Sequence, residues 1–85
     1  MNIWKYNFVI GEFEKEMPSG AEILCVQVQH EKPAMWAKVD PEASKETRKF
    51  QVCETGHLIE GDDLKYIGTF QMNGGFFIGH LFEVV

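Results

Sequence analysis

Apolar and polar residues alternate with a period of two over most of the chain, the pattern of strands that bury one face. From Met1 to Ile10 the alternation puts Trp4, Tyr6, Phe8 and Ile10 on one side and Lys5 and Asn7 on the other, predicting a first strand ended by Gly11. Glu12 to Met17 alternates more weakly, with Phe13 and Met17 set against the glutamates, and reads as a short exposed strand or a loop. Pro18-Ser19-Gly20 predicts a turn, since Pro presets the first corner and Gly accepts the left-handed one. Ala21 to Gln29 predicts the next strand, with Leu24, Val26 and Val28 inward and β-branched residues favouring strand over helix.

His30 to Pro33 forms a connection to Ala34–Asp40, where Trp36 and Val39 fall on opposite faces. A strand that is apolar on both sides either lies between two layers or exposes an aromatic at a binding surface. Asp40-Pro41-Glu42 has the chemistry of a helix start: an acidic cap, Pro at the first position and an early carboxylate. Only a turn or two can follow before Arg48 to Thr55 returns to alternation around Phe50 and Val52, and Gly56 ends that run. The longest connection follows, through Glu60-Gly61-Asp62-Asp63.

The closing segment, Leu64 to Val85, carries two apolar runs around Asn73-Gly74-Gly75, the strongest short-range hairpin signal because both Asn and Gly tolerate φ > 0. On its last strand Phe76, Ile78, His80, Phe82 and Val84 share one face and Phe77, Leu81 and Val85 the other, so neither face suits open water. A chain this short hides one such face in its own core, and the other needs a helix, a loop or a second subunit. The expectation is an oligomer contact through Phe77, Leu81 and Val85. The chain as a whole predicts one β-rich domain over residues 1–85. It is mainly β: a small antiparallel meander, rolled sheet or partly open barrel of six to seven strands, with at most one short helix near residues 41–47.

At 85 residues the domain buries only about 60–65% of the surface its unfolded chain exposes, which makes self-association a natural supplement. Thirteen Asp and Glu against eight Lys and Arg give a formal charge of −5 with no basic stripe. Counterion release on a nucleic-acid backbone needs clustered cations, so direct nucleic-acid binding is not expected, although carboxylate arrays can imitate phosphates. Cys25 and Cys53 are too few for a disulfide scaffold, and the absence of an apolar signal-peptide core points to reducing cytosol. Gly74 to Phe82, the longest nearly apolar run, is about half the length a transmembrane helix needs, so no membrane association is expected.

Candidate chemistry is sparse. His30, His57, His80, Cys25 and Cys53 invite a metal, but the local Cys-x-x-Cys or His-x3-His pairs of structural zinc sites are missing, so neither metal nor cofactor is expected. Ser44 or Cys53 could be combined with His57 and Asp62 into a triad, yet no nucleophile-elbow signature surrounds them, and Gly74-Gly75 lead into a strand rather than a phosphate loop. The chain therefore reads as a non-enzyme. A binding module fits better: Trp36, Arg48, Lys49, Thr55, His57 and His80 are residue types that stack on a base or ribose, or donate to a phosphate. The expected ligand-binding set is Trp36, Arg48, Thr55, His57 and His80, provided that they converge on one mouth.

The stretches Ile3-Trp-Lys-Tyr6, Met17-Pro-Ser-Gly-Ala21, Val26-Gln-Val-Gln29, Trp36-Ala-Lys-Val-Asp-Pro41, Thr55-Gly-His57, Tyr66-Ile-Gly-Thr-Phe-Gln71 and His80-Leu-Phe-Glu83 resemble a family of short proteins carried by bacteriophages and prophages. The resemblance covers nearly the whole chain. That family has no assigned activity, so the resemblance implies an origin: a small accessory protein in the cytoplasm of an infected bacterial host. The expectation that follows is a non-enzymatic homo-oligomer that sequesters a nucleotide-derived signal of host antiviral defence. The alternatives are an acidic inhibitor of a host nucleic-acid-binding defence enzyme, with Glu12, Glu14, Glu16, Asp62 and Asp63 as the phosphate mimics, and a structural phage component.

Overall fold

A computed structural model describes Met1–Val85 as seven antiparallel strands with one 3-10 turn and no α-helix. The strands are β1 (Asn2–Asn7), β2 (Glu12–Pro18), β3 (Glu22–Gln29), β4 (Lys32–Val39), β5 (Lys45–Glu54), β6 (Leu64–Met72) and β7 (Phe77–Val84). They form two sheets, a three-stranded one in the order β1-β4-β3 and a four-stranded one in the order β2-β5-β7-β6. The chain is thus the mainly-β antiparallel domain that its alternation predicts, as two sheets rather than a closed barrel. It is also more than a meander. Only β3–β4 and β6–β7 are sequential hairpins, whereas β1 pairs with β4 and β2 with β5, so the first two strands part into different sheets.

The core lies between the inward faces of the two sheets. Phe8, Met17, Val26, Met35, Ala37, Val39, Phe50, Phe70 and Leu81 form its buried cluster. Phe8, Phe13 and Phe50 stack in series, with ring centroids 4.8 and 5.2 Å apart, and Phe70 meets Phe8 edge-on at 5.8 Å. This aromatic run explains how a small core is filled, since each ring buries more area than an aliphatic side chain.

Two β-bulges reset the parity read from the sequence. One in β3, between Ile23 and Cys25, turns Ile23, Val26 and Val28 inward and leaves Leu24 exposed, against the expectation that Leu24 points into the core. The other lies in β6 between Tyr66 and Gly68. An extra residue in one strand of a pair shifts every later side chain by one, so both bulges move residues between faces.

The turns follow their chemistry. Asn73 and Gly74 take φ of 55° and 64°, and the Phe76 N–H donates to the Asn73 carbonyl at 3.1 Å before Met72 pairs with Phe77. Asp40 caps as expected, its Oδ1 accepting from the Glu42 N–H at 3.0 Å, but the turn does not grow into a helix. Lys45 already pairs with Pro18, and a ladder bonded at every second residue outweighs the costly nucleus of a helix only a few residues long. No helix of the chain is long and apolar enough to cross a membrane.

Candidate functional site

The outward face of the four-stranded sheet holds the one place where expected ligand-binding residues meet. At the end of β5 the Thr55 N–H donates to the Ile78 carbonyl at 3.1 Å, extending the β5–β7 ladder by one step. Gly56 then takes a φ of 89°, which side chains rarely adopt, and the His57 N–H closes the turn on the Glu54 carbonyl at 3.0 Å. This turn delivers Thr55 and His57 beside β7, where Cys53 pairs directly with His80.

His80 is held from both sides. Its Nε2 shares a hydrogen bond with the Thr55 hydroxyl at 2.7 Å, and its Nδ1 shares one with the Thr69 hydroxyl at 2.9 Å. Thr69 in turn lies 2.6 Å from the Tyr66 hydroxyl. The β6 bulge makes this chain of four possible, because without it Tyr66 and Thr69, three residues apart in a strand, would point to opposite faces. A hydroxyl donates or accepts as required, so the network holds the imidazole in either tautomer and in either charge state.

Beside this network lies a cleft of about 290 Å³ lined by Cys53, Glu54, Thr55, Gly56, His57, Ile59, His80 and Phe82. Phe82 makes an edge contact with Tyr66, centroids 5.6 Å apart, so the aromatic ring of the lining is steadied by a second. No group of three or more His, Cys, Asp or Glu side chains is placed to hold a metal ion.

Three of the five expected ligand-binding residues, Thr55, His57 and His80, therefore share one cleft. The other two do not join them. Arg48 lies between the sheets, its Nε and Nη2 donating to the two Glu83 carboxylate oxygens at 2.7 and 2.8 Å and its Nη1 to the Ala21 carbonyl. Its guanidinium is committed to a structural clasp, and that hydrogen-bonded pairing with Glu83 raises its pKa further above the usual guanidinium value. Trp36 stands on the outward face of the other sheet, with the Lys5 ammonium 6.0 Å from its ring centre. Ile59, Phe82, Tyr66 and Thr69 were missed. Phe82 could have been found, two residues from His80 on one strand face, but the bulge that recruits Tyr66 and Thr69 leaves no sequence signal.

The expected oligomer face also changes. Leu81 is fully buried in the core of a single chain, and Phe77 is half-buried against Phe70 with centroids 6.1 Å apart, so the Phe77/Leu81 face is the one the monomer hides itself. Val85 alone of that set is well exposed. On the opposite face of the sheet some apolar groups are left to solvent: Tyr66 is 56% and Val84 39% exposed beside the partly open Phe82.

Over residues 1–85 the sequence matches a family described as a domain of unknown function, DUF7352. The chain belongs to that family. The DUF7352 match spans both sheets and every residue of the cleft, and it carries no activity with it. No curated protein and no solved structure matches the chain.

Proposed function

We propose that this DUF7352 chain is a non-enzymatic binding protein that sequesters a nucleotide-derived small molecule in the Thr55–His57–His80 cleft. The observation that carries the reading is that those three side chains and Phe82 line one cleft: a flat ring, two imidazoles and a hydroxyl, with the His80 ring and the Thr55 hydroxyl hydrogen-bonded to each other before any ligand arrives. A preorganised site loses little freedom on binding, which is what a sequestering protein needs. The resemblance to phage and prophage accessory proteins supplies the setting, the cytoplasm of an infected bacterium, and the ligand would then be a signal of host antiviral defence. Self-association through the exposed Tyr66, Phe82 and Val84 surface would put the cleft at or near a subunit contact.

Thermal-shift and native-mass measurements against cyclic nucleotides and cyclic ADP-ribose variants test the reading. A ligand at a hundred times its Kd should stabilise the fold by about 2.7 kcal/mol. His80→Gln and Thr55→Val should abolish the shift, and a full panel with no effect would sink the proposal.

A second reading has one observation in its favour. Glu12, Glu14 and Glu16 all lie exposed along one face of the edge strand β2, about 7 Å apart at two residues per repeat. Such a row would suit an inhibitor of a nucleic-acid-binding host enzyme. A salt-sensitive partner lost on Glu12→Lys and Glu14→Lys, with the cleft variants still binding that partner, would favour it over sequestration.

A further inference from the structure

We propose that Thr55 is the residue that reads the ligand, donating its hydroxyl proton to an oxygen acceptor, and that Tyr66, Thr69 and His80 are positioning residues that keep this proton free. The presence of a ligand rests on the sequestration reading, whereas the direction of the hydrogen bonds does not.

The line Tyr66, Thr69, His80, Thr55 holds three side-chain hydrogen bonds, of 2.6, 2.9 and 2.7 Å in that order. With the imidazole neutral, each of the four side chains brings one polar proton, so one proton is left over. If the ring carries its proton on Nδ1, Nε2 accepts from Thr55 and the left-over proton belongs to Thr69 or Tyr66. If the ring carries it on Nε2, that N–H donates to Thr55 Oγ1, and the Thr55 hydroxyl is free to donate elsewhere. The tautomer of His80 thus decides whether Thr55 meets a ligand as a donor.

The far end of the line selects Nε2–H. A phenol is more acidic than an alkyl hydroxyl, hence the stronger donor and the weaker acceptor. Tyr66 therefore donates to Thr69, and 2.6 Å suits a strong O–H···O bond. Thr69 then donates to Nδ1, which makes an unbroken run in which each bond polarises the next. The other tautomer asks the phenol oxygen to accept, or has Thr69 accept twice and turn its own proton to solvent, which ends the run.

The cleft end is ready for an acceptor. Thr55 lines the cleft and is exposed. Its own N–H is occupied by the Ile78 carbonyl, but the Gly56 N–H has no backbone acceptor, so a hydroxyl and an amide in consecutive residues are both uncommitted. His80 has both ring nitrogens engaged by threonines and acts on a ligand through Thr55. No Lys or Arg lines the cleft, so the acceptor is met by hydrogen bonds and not by a fixed cation. Phosphate oxygens and base carbonyl oxygens share this chemistry.

The first arm of the test needs no ligand. Proton–nitrogen NMR correlations of the full-length protein, in alkaline buffer where an ordinary imidazole is neutral, show which ring nitrogen of His80 is protonated. Expected is Nε2–H, with the Nδ1–H share rising in Tyr66→Phe, which lacks the phenol donor. The second arm titrates AMP, which offers phosphate oxygens, uridine, which offers base carbonyls, and adenosine, which has neither. AMP or uridine should bind more tightly than adenosine, and which of them does so separates phosphate from carbonyl. Thr55→Val should weaken that binding at least about tenfold, with Thr55→Ser retaining it. Tyr66→Phe should weaken it about twofold, as expected when the donor state is populated half the time. An Nδ1–H ring, a tautomer ratio unmoved by Tyr66→Phe, or binding that Thr55→Val leaves unchanged overturns the proposal while leaving sequestration standing. Failure of all three compounds to bind overturns the Thr55 contact, and the cyclic-nucleotide panel then decides sequestration separately.

Discussion

Replacing Arg48 by Met should destabilise the domain far more than replacing Arg48 and Glu83 together by Met and Leu. The guanidinium makes two parallel bonds to Glu83, at 2.7 and 2.8 Å, and a third to the Ala21 carbonyl, with the two side chains only 17% and 11% exposed. Removing the cation leaves a carboxylate with no counter-ion and a carbonyl with no donor in a site that water barely reaches. Breaking one side of a buried pair costs about 3–5 kcal/mol, and the residual exposure here argues for about 3. For a domain whose total stability is of order 5–15 kcal/mol this is a large fraction, and it corresponds to a fall in Tm of roughly 12 °C or more. The double variant removes both charges and fills the space with apolar atoms, leaving only the Ala21 carbonyl without its donor, so its cost should stay within about 1–2 kcal/mol. Urea unfolding followed by tryptophan fluorescence measures all three proteins, and equal m-values license the comparison. If Arg48→Met loses less than about 1 kcal/mol, or if the double variant is as unstable as the single one, the clasp is not a desolvated pair and the argument fails. The same experiment separates two roles for Arg48. A ligand contact would lose binding at unchanged stability, and the clasp predicts the reverse.

Three further outcomes follow from particular residues. The Tyr6 hydroxyl is occluded with no hydrogen-bond partner, and burial raises its pKa above 10.0 despite an opposing pull from Arg48. The folded state therefore favours the protonated form: this stability is fully present below pH 10.0 and is lost as pH rises through the folded value. Tyr6→Phe should flatten that alkaline loss in pH-dependent urea titrations and add about 1 kcal/mol at neutral pH, and a destabilised Phe variant would contradict the unpaired hydroxyl. His30 and Glu31 form the two-residue β3–β4 turn at φ of 54° and 64°, a left-handed pair that Asn-Gly adopts readily, so His30→Asn with Glu31→Gly should raise stability by about 1 kcal/mol in chemical denaturation. A Cβ at Gly79 would sit 2.7 Å from Phe70 Cζ and 2.9 Å from Phe77 Cε2, so Gly79→Ala should cost about 1–3 kcal/mol by calorimetry, with Phe77→Leu in the same chain recovering part of it.

The strands were legible because alternation is a direct consequence of the pleat, and every run of apolar residues with period two became one. Even the weak run Glu12–Met17 did, since Phe13 and Met17 point into the core while the glutamates stay outside. Strand partners were not legible. The pairing of β1 with β4 and of β2 with β5 is decided by which faces close over Phe8, Phe50 and Phe70, and nothing within a single strand records that choice. The apparent two-facedness of the last strand had a local cause that the sequence did display. Gly79 and Glu83 lie on the Leu81 face, so that face is half apolar by count, yet Arg48 neutralises Glu83 and Phe70 fills the space above Gly79. A charge on an inward face signalled a buried partner rather than a surface.

The site was legible only where it depends on parity within one strand. Thr55, Cys53 and His80 end on one face because β5 and β7 run without interruption from Lys49↔Val84 to Glu54↔Gly79. Tyr66 and Thr69 depend on a bulge, and Trp36 and Arg48 were grouped with the site by chemical type alone. Type is a poor guide for Arg. A side chain with five donors meets a carboxylate inside a small domain as readily as a phosphate outside it, and only geometry separates the two. Once Arg48 is taken out of the cleft, the cleft loses the one cation that made phosphate recognition attractive. What remains is the Phe82 ring, two imidazoles and a hydroxyl. The make-up of the cleft is thus set as much by where Arg48 went as by what stayed.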